Sequence, residues 1–146
     1  MKVIFDERLI PSRSVLMALS LSGPMVLLAA LPFGLELSLT LGIAVPISLI
    51  AMAVWLSPRI QVDSQLRIGK FTLPLEIISS AEGFEGEAAR LQRGPSLDAR
   101  ARLAIRGDID QVVKIKLNDP LDPTPYILVS TRRPGELVSA LSADRP

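Results

Sequence analysis

The chain has 146 residues, no Cys and no His, and 16 Lys+Arg against 15 Asp+Glu, a formal net charge of +1. These counts exclude Ser–His–Asp and Cys–His nucleophiles, a His general base, His- or Cys-ligated metals and any disulfide framework. The near-neutral balance argues against a nucleic-acid partner, which would require a basic excess to neutralise phosphates, and a mean hydropathy of +0.39 points to a membrane.

Residues 1–13 form a short N-terminal segment with Lys2, Arg8 and Arg13. From Ser14 to Phe33, and again from Leu37 to Leu56, the chain runs without a charged side chain, interrupted only by Gly34-Leu35-Glu36. Each run is about 20 residues, and at about 1.5 Å rise per residue it covers the roughly 30 Å of a bilayer's hydrocarbon core. The polar residues inside are the hydroxyls of Ser14, Ser20, Ser22, Ser38, Thr40 and Ser48, which can bond to their own helix's carbonyls. Pro24, Pro32 and Pro46 are tolerated in such spans, and kinks are expected near Pro24 and Pro46. Small residues four apart (Ala18/Ser22, Ser38/Gly42, Ala44/Ser48) would permit close helix approach, within the hairpin or in a homo-oligomer, although the motif is weak. No ionisable residue lies in either run, so nothing marks an ion path.

Arg59, Arg67 and Lys70 follow the second run while the turn carries Glu36 alone. Basic flanks stay cytoplasmic, which predicts both termini inside a multi-pass inner (plasma) membrane protein and the turn outside. Reading the first run as a cleaved signal peptide is the competitor, opposed by its length, the lack of a clear cleavage site and the second span that follows at once. Trp55, at the cytoplasmic end of the second span, is the expected interfacial anchor.

After Ser57-Pro58 the pattern turns to alternation: Arg59–Asp63 and Leu66–Gly69 read as a hairpin, continued by Lys70–Leu73, with Leu75–Ala81 a further strand. Glu82–Pro95 reads as a loop with at most one helical turn. Strands are predicted over Arg102–Arg106, Gln111–Leu117 and Tyr126–Thr131, a turn-rich connection over Asn118–Pro125, and a helix from Pro134 to Leu141. The predicted fold is a transmembrane α-helical hairpin (14–33 and 37–56) followed by a small β-rich α+β domain over 57–146. Its strand meander and C-terminal helix match a pleckstrin-homology-like barrel, with a two-layer α+β sheet as the alternative.

The run Asp119-Pro120-Leu121-Asp122-Pro123-Thr124-Pro125-Tyr126, with Leu128-Val129-Ser130-Thr131-Arg132-Arg133-Pro134, resembles the signature of an actinobacterial membrane-protein family, domain of unknown function 3093. Glu7-Arg8-Leu9 is similar to that family's E-R-L pattern, and the resemblance implies two closely spaced spans and a C-terminal domain. It brings no activity with it. The family often carries Trp after the motif's Tyr and an Arg-Pro-aromatic run on the preceding strand, where this chain has Ile127 and Arg106-Gly107-Asp108.

Asp119 and Asp122 are paired carboxylates that could hold Mg²⁺ or Ca²⁺, but Asx-Pro sequences routinely use such carboxylates to bond turn backbone, and two without a third ligand make a poor cation site. Arg132 and Arg133 could grip a lipid phosphate or partner carboxylate; the alternative is a solvated pair bonded to Asp119 or Asp122. Tyr126 completes the candidate binding set. Ser130 or Thr131 as a nucleophile lacks a suitably spaced Lys base. No cofactor, metal or catalytic residue is implied. The expected function is a membrane-tethered binding or scaffolding module whose partners are the lipid bilayer and a membrane protein or second copy; a metal-dependent membrane enzyme and an assembly subunit of a membrane complex are the alternatives.

Overall fold

A computed structural model describes residues 4–143; Lys2, one of the basic flank residues of the topology argument, lies outside them. The chain is α+β and divides into two compact units. One comprises the apolar helices, Ile10–Ser57. The other joins the described residues up to Leu9 to those from Pro58 to Ala143.

In the helical unit, α1 (Arg13–Ser20) and α2 (Ser22–Ala30) are separated at Leu21. The break has a covalent cause: Pro24 lacks the N–H that would bond the Ser20 carbonyl, and its ring crowds that oxygen. A 3₁₀ turn, Leu31–Phe33, leads to Gly34, whose φ of 116° favours glycine, and then to α3 (Leu35–Trp55). The expected kink at Pro24 is thus a break between helices, whereas α3 runs on through Pro46. Ser20, Ser22, Ser38 and Thr40 each donate their hydroxyl to a carbonyl three or four residues earlier. Helices α2 and α3 meet at Gly23 and Gly42: a Cβ on Gly23 would lie 2.8 Å from the Gly42 carbonyl oxygen, and one on Gly42 2.9 Å from the Leu27 Cβ. Elsewhere the helices present apolar side chains outward, Met25 being 72% and Ile43 61% exposed.

The other unit opens with β1 (Phe5–Arg8), which the alternation pattern did not reveal. It pairs antiparallel with β2 (Arg59–Val62), Phe5 opposite Val62 and Arg8 opposite Arg59. A meander β1-β2-β3-β4 is completed by β3 (Gln65–Ile68) and β4 (Phe71–Pro74). Both apolar helices are therefore inserted in the connection between two neighbouring strands. The second sheet has the order β5-β7-β8-β6, from β5 (Ile78–Phe84), β6 (Arg102–Ala104), β7 (Val112–Leu117) and β8 (Tyr126–Ser130).

The barrel expected from the meander does not close. Pro74 offers no N–H to extend the ladder, the chain turns through a 3₁₀ segment at Leu75–Ile77, and β5 starts a separate sheet. β6 also pairs parallel to β8 rather than continuing the meander. The sheets share one core, Phe5, Ile60, Val62, Leu66 and Ile68 from the first and Ile78, Val113, Ile115, Ile127 and Val129 from the second, closed by Leu137, Ala140 and Leu141 of α5 (Pro134–Ala143). β8 is buried throughout because Tyr126 and Leu128 face a second cluster, roofed by Ala89 of α4 (Gly86–Arg93). That helix replaces the loop read over Glu82–Pro95. It is eight residues long and buries one residue, Ala89.

Candidate functional site

Strand β1 alternates inward and outward, which turns Glu7 inward between Phe5 and Leu9. A carboxyl buried to 7% exposure needs donors, and β8's end supplies them. The Thr131 hydroxyl donates to Glu7 Oε2, and the Arg132 backbone N–H donates to Oε1 at 3.0 Å. Thr131 Oγ1 in turn accepts the Arg133 N–H at 3.1 Å, an arrangement that holds the start of α5. The Glu7-Arg8-Leu9 and Thr131-Arg132-Arg133 stretches, 124 residues apart at Glu7 and Thr131, are thus one structure in space.

A second set of bonds fixes the point where the chain leaves for the apolar helices. Arg106 donates Nη1 to the Leu9 carbonyl at 2.6 Å and Nε to Asp108 Oδ1 at 3.0 Å, while its N–H bonds Ser130 Oγ at 2.8 Å. Arg132 Nη2 lies 3.9 Å from Asp108 Oδ2, so one carboxylate faces both guanidinium groups. Across the junction, the Leu9 N–H bonds the Pro58 carbonyl at 2.9 Å. Beside these bonds lies an apolar cleft of about 280 Å³, walled by Leu9, Pro58, Ile68, Ala104 and the β3–β4 turn, with Lys70 and Arg106 as its charged lining residues.

The residues singled out from sequence are placed differently from one another. Arg133 lies with its guanidinium 4.8 Å from the Phe5 ring centre and donates to the Asp6 carbonyl at 2.6 Å and to Glu136 at 3.0 Å. Arg132 and Arg133 therefore meet Asp108 and Glu136, not the Asp119 or Asp122 carboxylates expected across the connection. Asp119 Oδ1 accepts the Leu121 N–H at 2.9 Å. Asp122 Oδ1 accepts from the Thr124 N–H and hydroxyl, and its Oδ2 pairs with Arg102 at 2.9 Å. Those Thr124 bonds and the Arg102 charge hold the Asp122 carboxyl below its usual range, as the bidentate Arg59 contact does for Asp6. Tyr126 is buried; its hydroxyl accepts the Asp98 N–H at 2.7 Å and its ring lies 4.3 Å from Lys114 Nζ. Trp55 ends α3, 78% exposed. Ser130 and Thr131 are fully buried and their hydroxyls are engaged, so neither is presented as a nucleophile.

Among the described residues no group of three or more His, Cys, Asp or Glu side chains is placed to hold a metal ion. With both Asp side chains already bonding turn backbone, millimolar Mg²⁺ or Ca²⁺ is expected to leave the melting temperature of the detergent-solubilised protein unchanged. A rise with metal concentration, as mass action on a native-state site requires, would refute this.

Sequence reasoning missed Glu7, Arg106 and Asp108 as a set. The signal available was an acidic residue on the inward parity of a strand, interpretable only once β1 is recognised. Comparison with curated proteins and with solved structures finds no match. A family model does match, over residues 4–141, a stretch that takes in β1, both apolar segments and both sheets. The chain accordingly belongs to the family described as Protein of unknown function (DUF3093).

Proposed function

We propose that this protein is embedded in the inner membrane by its two apolar segments and holds a pleckstrin-homology-like binding or scaffolding module at the cytoplasmic face. The observation that carries the reading is the antiparallel pairing of β1 with β2 on either side of the insertion. Two strands of one sheet lie on one side of any bilayer, so a pair of helices between them crosses as a pin, out and back. Arg13–Phe33 and Leu35–Trp55 are each 21 residues, long and apolar enough to cross. Their outward apolar side chains favour lipid over a soluble core, where such residues are buried.

A cleaved signal peptide fits poorly. Cleavage after the first segment would remove β1, leaving the Thr131 hydroxyl and Arg132 N–H without the Glu7 carboxyl and stripping Phe5 and Leu9 from the core. Basic Arg8, Arg13, Arg59, Arg67 and Lys70 flank the insertion and Glu36 sits at its tip, which favours a cytoplasmic sheet unit. The pleckstrin-homology-like assignment draws on the four-stranded meander, the second sheet and the C-terminal helix packed on their common core.

The absence of cysteine makes the test direct. In intact cells a Glu36→Cys variant is expected to react with a membrane-impermeant maleimide, while Glu87→Cys on exposed α4 reacts only after permeabilisation. Labelling of Glu87→Cys in intact cells, or recovery of the untagged protein in the soluble fraction, would refute the topology.

A further inference from the structure

The apolar cleft beside the junction has no part in the fastening of Glu7, yet its lining is specific. Leu9, Pro58, Ile68 and Ala104 supply apolar walls, and Phe71 and Ile105, 42% and 37% exposed, stand at its rim. Its charged lining residues, Lys70 and Arg106, are both basic. Arg106 is committed to Asp108 and the Leu9 carbonyl, whereas Lys70 stands exposed on the β3–β4 turn and forms no ion pair among the described residues. The turn is held by Gly69, at φ 56°, whose N–H bonds the Arg59 carbonyl at 3.0 Å, so the Lys70 backbone is fixed at the cleft.

Chain length states what such a cleft can meet. Leu9 is four residues from the start of α1 and Pro58 three from the end of α3, spans of at most about 14 Å and 11 Å fully extended. An apolar hollow with a basic lip this close to two membrane-crossing segments matches one ligand chemistry: a hydrocarbon chain carrying an anionic headgroup. We propose that the cleft takes an acyl-chain segment of an anionic phospholipid from the adjoining leaflet, with the Lys70 ammonium against its phosphate. The inference rests on the membrane reading above and adds to it a lipid site on the sheet unit. A cleft of about 280 Å³ is at the small end for a ligand pocket, suited to a few methylenes rather than a whole lipid. Phe71 and Ile105 extend the apolar surface at its rim.

The test uses the full chain in phosphatidylcholine vesicles, with bimane on Ile105→Cys or, as reference, on Glu87→Cys. Quenchers are phosphatidylglycerol or phosphatidylcholine carrying a mid-chain doxyl group, and flotation with the vesicles first establishes that the protein is embedded. Quenching is expected at position 105 and not at 87, at a lower mole fraction of the phosphatidylglycerol probe. Adding Lys70→Gln should raise the phosphatidylglycerol fraction needed by roughly fivefold, the worth of one basic side chain at an anionic surface. Equal quenching at 105 and 87 in floated protein would overturn the lipid site and leave the membrane reading intact. So would quenching at 105 that ignores both headgroup and Lys70→Gln, since the contact would then be nonspecific immersion. Failure to float would bring down the membrane reading, and this inference with it.

Discussion

Glu7→Ala is expected to lower the melting temperature of the sheet unit by roughly 12–20 °C, corresponding to about 3 kcal/mol in a domain of this size. Alanine leaves the buried Thr131 hydroxyl and Arg132 N–H facing a void, and each stranded donor costs about 1–3 kcal/mol. Glu7→Gln should fall between wild type and alanine, because one amide oxygen replaces one of two acceptors. The Thr131 hydroxyl can rotate to accept from the new amide, but Thr131 Oγ1 already accepts the Arg133 N–H, so the exchange is imperfect. Thermal melts followed by near-ultraviolet circular dichroism or by labelling of a buried engineered cysteine would measure this. If alanine melts within a few degrees of wild type, Glu7 is not a fastening of the fold and the account of β1 fails.

The second large effect is expected at the crossing of α2 and α3. Gly42→Ala places a methyl 2.9 Å from the Leu27 Cβ, and Gly23→Ala places one 2.8 Å from the Gly42 carbonyl oxygen, separations that real Cβ atoms do not show. The helices must part, and in the bilayer setting proposed above only packing and hydrogen bonds would hold them together. Either substitution should weaken the hairpin by about 1–3 kcal/mol. The pair should behave non-additively, since both methyls fall at the same contact. Unfolding in rising SDS mole fraction, read by helical ellipticity, would check it against Ile43→Leu on the exposed face, which should unfold as wild type does. Indistinguishable curves for Gly42→Ala and Ile43→Leu would refute the packing.

Strands β2, β3, β4, β7 and β8 and helix α5 were legible because one face, or both, of each is apolar at its proper period. Strand β1 was not, because Phe5-x-Glu7-x-Leu9 breaks the inward apolar row with a carboxyl whose donors lie at the far end of the chain. The closure of the sheets was misjudged for a related reason. Pro74 was visible as a strand end, but whether the following strand rejoins the same ladder or founds a new sheet depends on its pairing with the distant β7, and neither that pairing nor the parallel one of β6 with β8 leaves a local mark. Among the candidate residues, Asp119 and Asp122 each accept a bond from the turn backbone that follows, the arrangement Asx-Pro sequences commonly make. The partners of Arg132 and Arg133 were sought in the Asp119 and Asp122 carboxylates, whereas the fold brings Asp108 to Arg132, which sequence spacing does not show, and Glu136, three residues on, to Arg133.

The placement of the helices between β1 and β2 also orders events during synthesis. The first strand leaves the ribosome early, yet its hydrogen-bonding edge and the Glu7 carboxyl wait for residues 59–62 and then 131–132. A nascent or truncated chain that stops before Thr131 leaves the Glu7 carboxyl without either of these donors. Incomplete copies therefore differ from finished ones at the first strand itself, by a carboxyl turned inward with nothing to bond it.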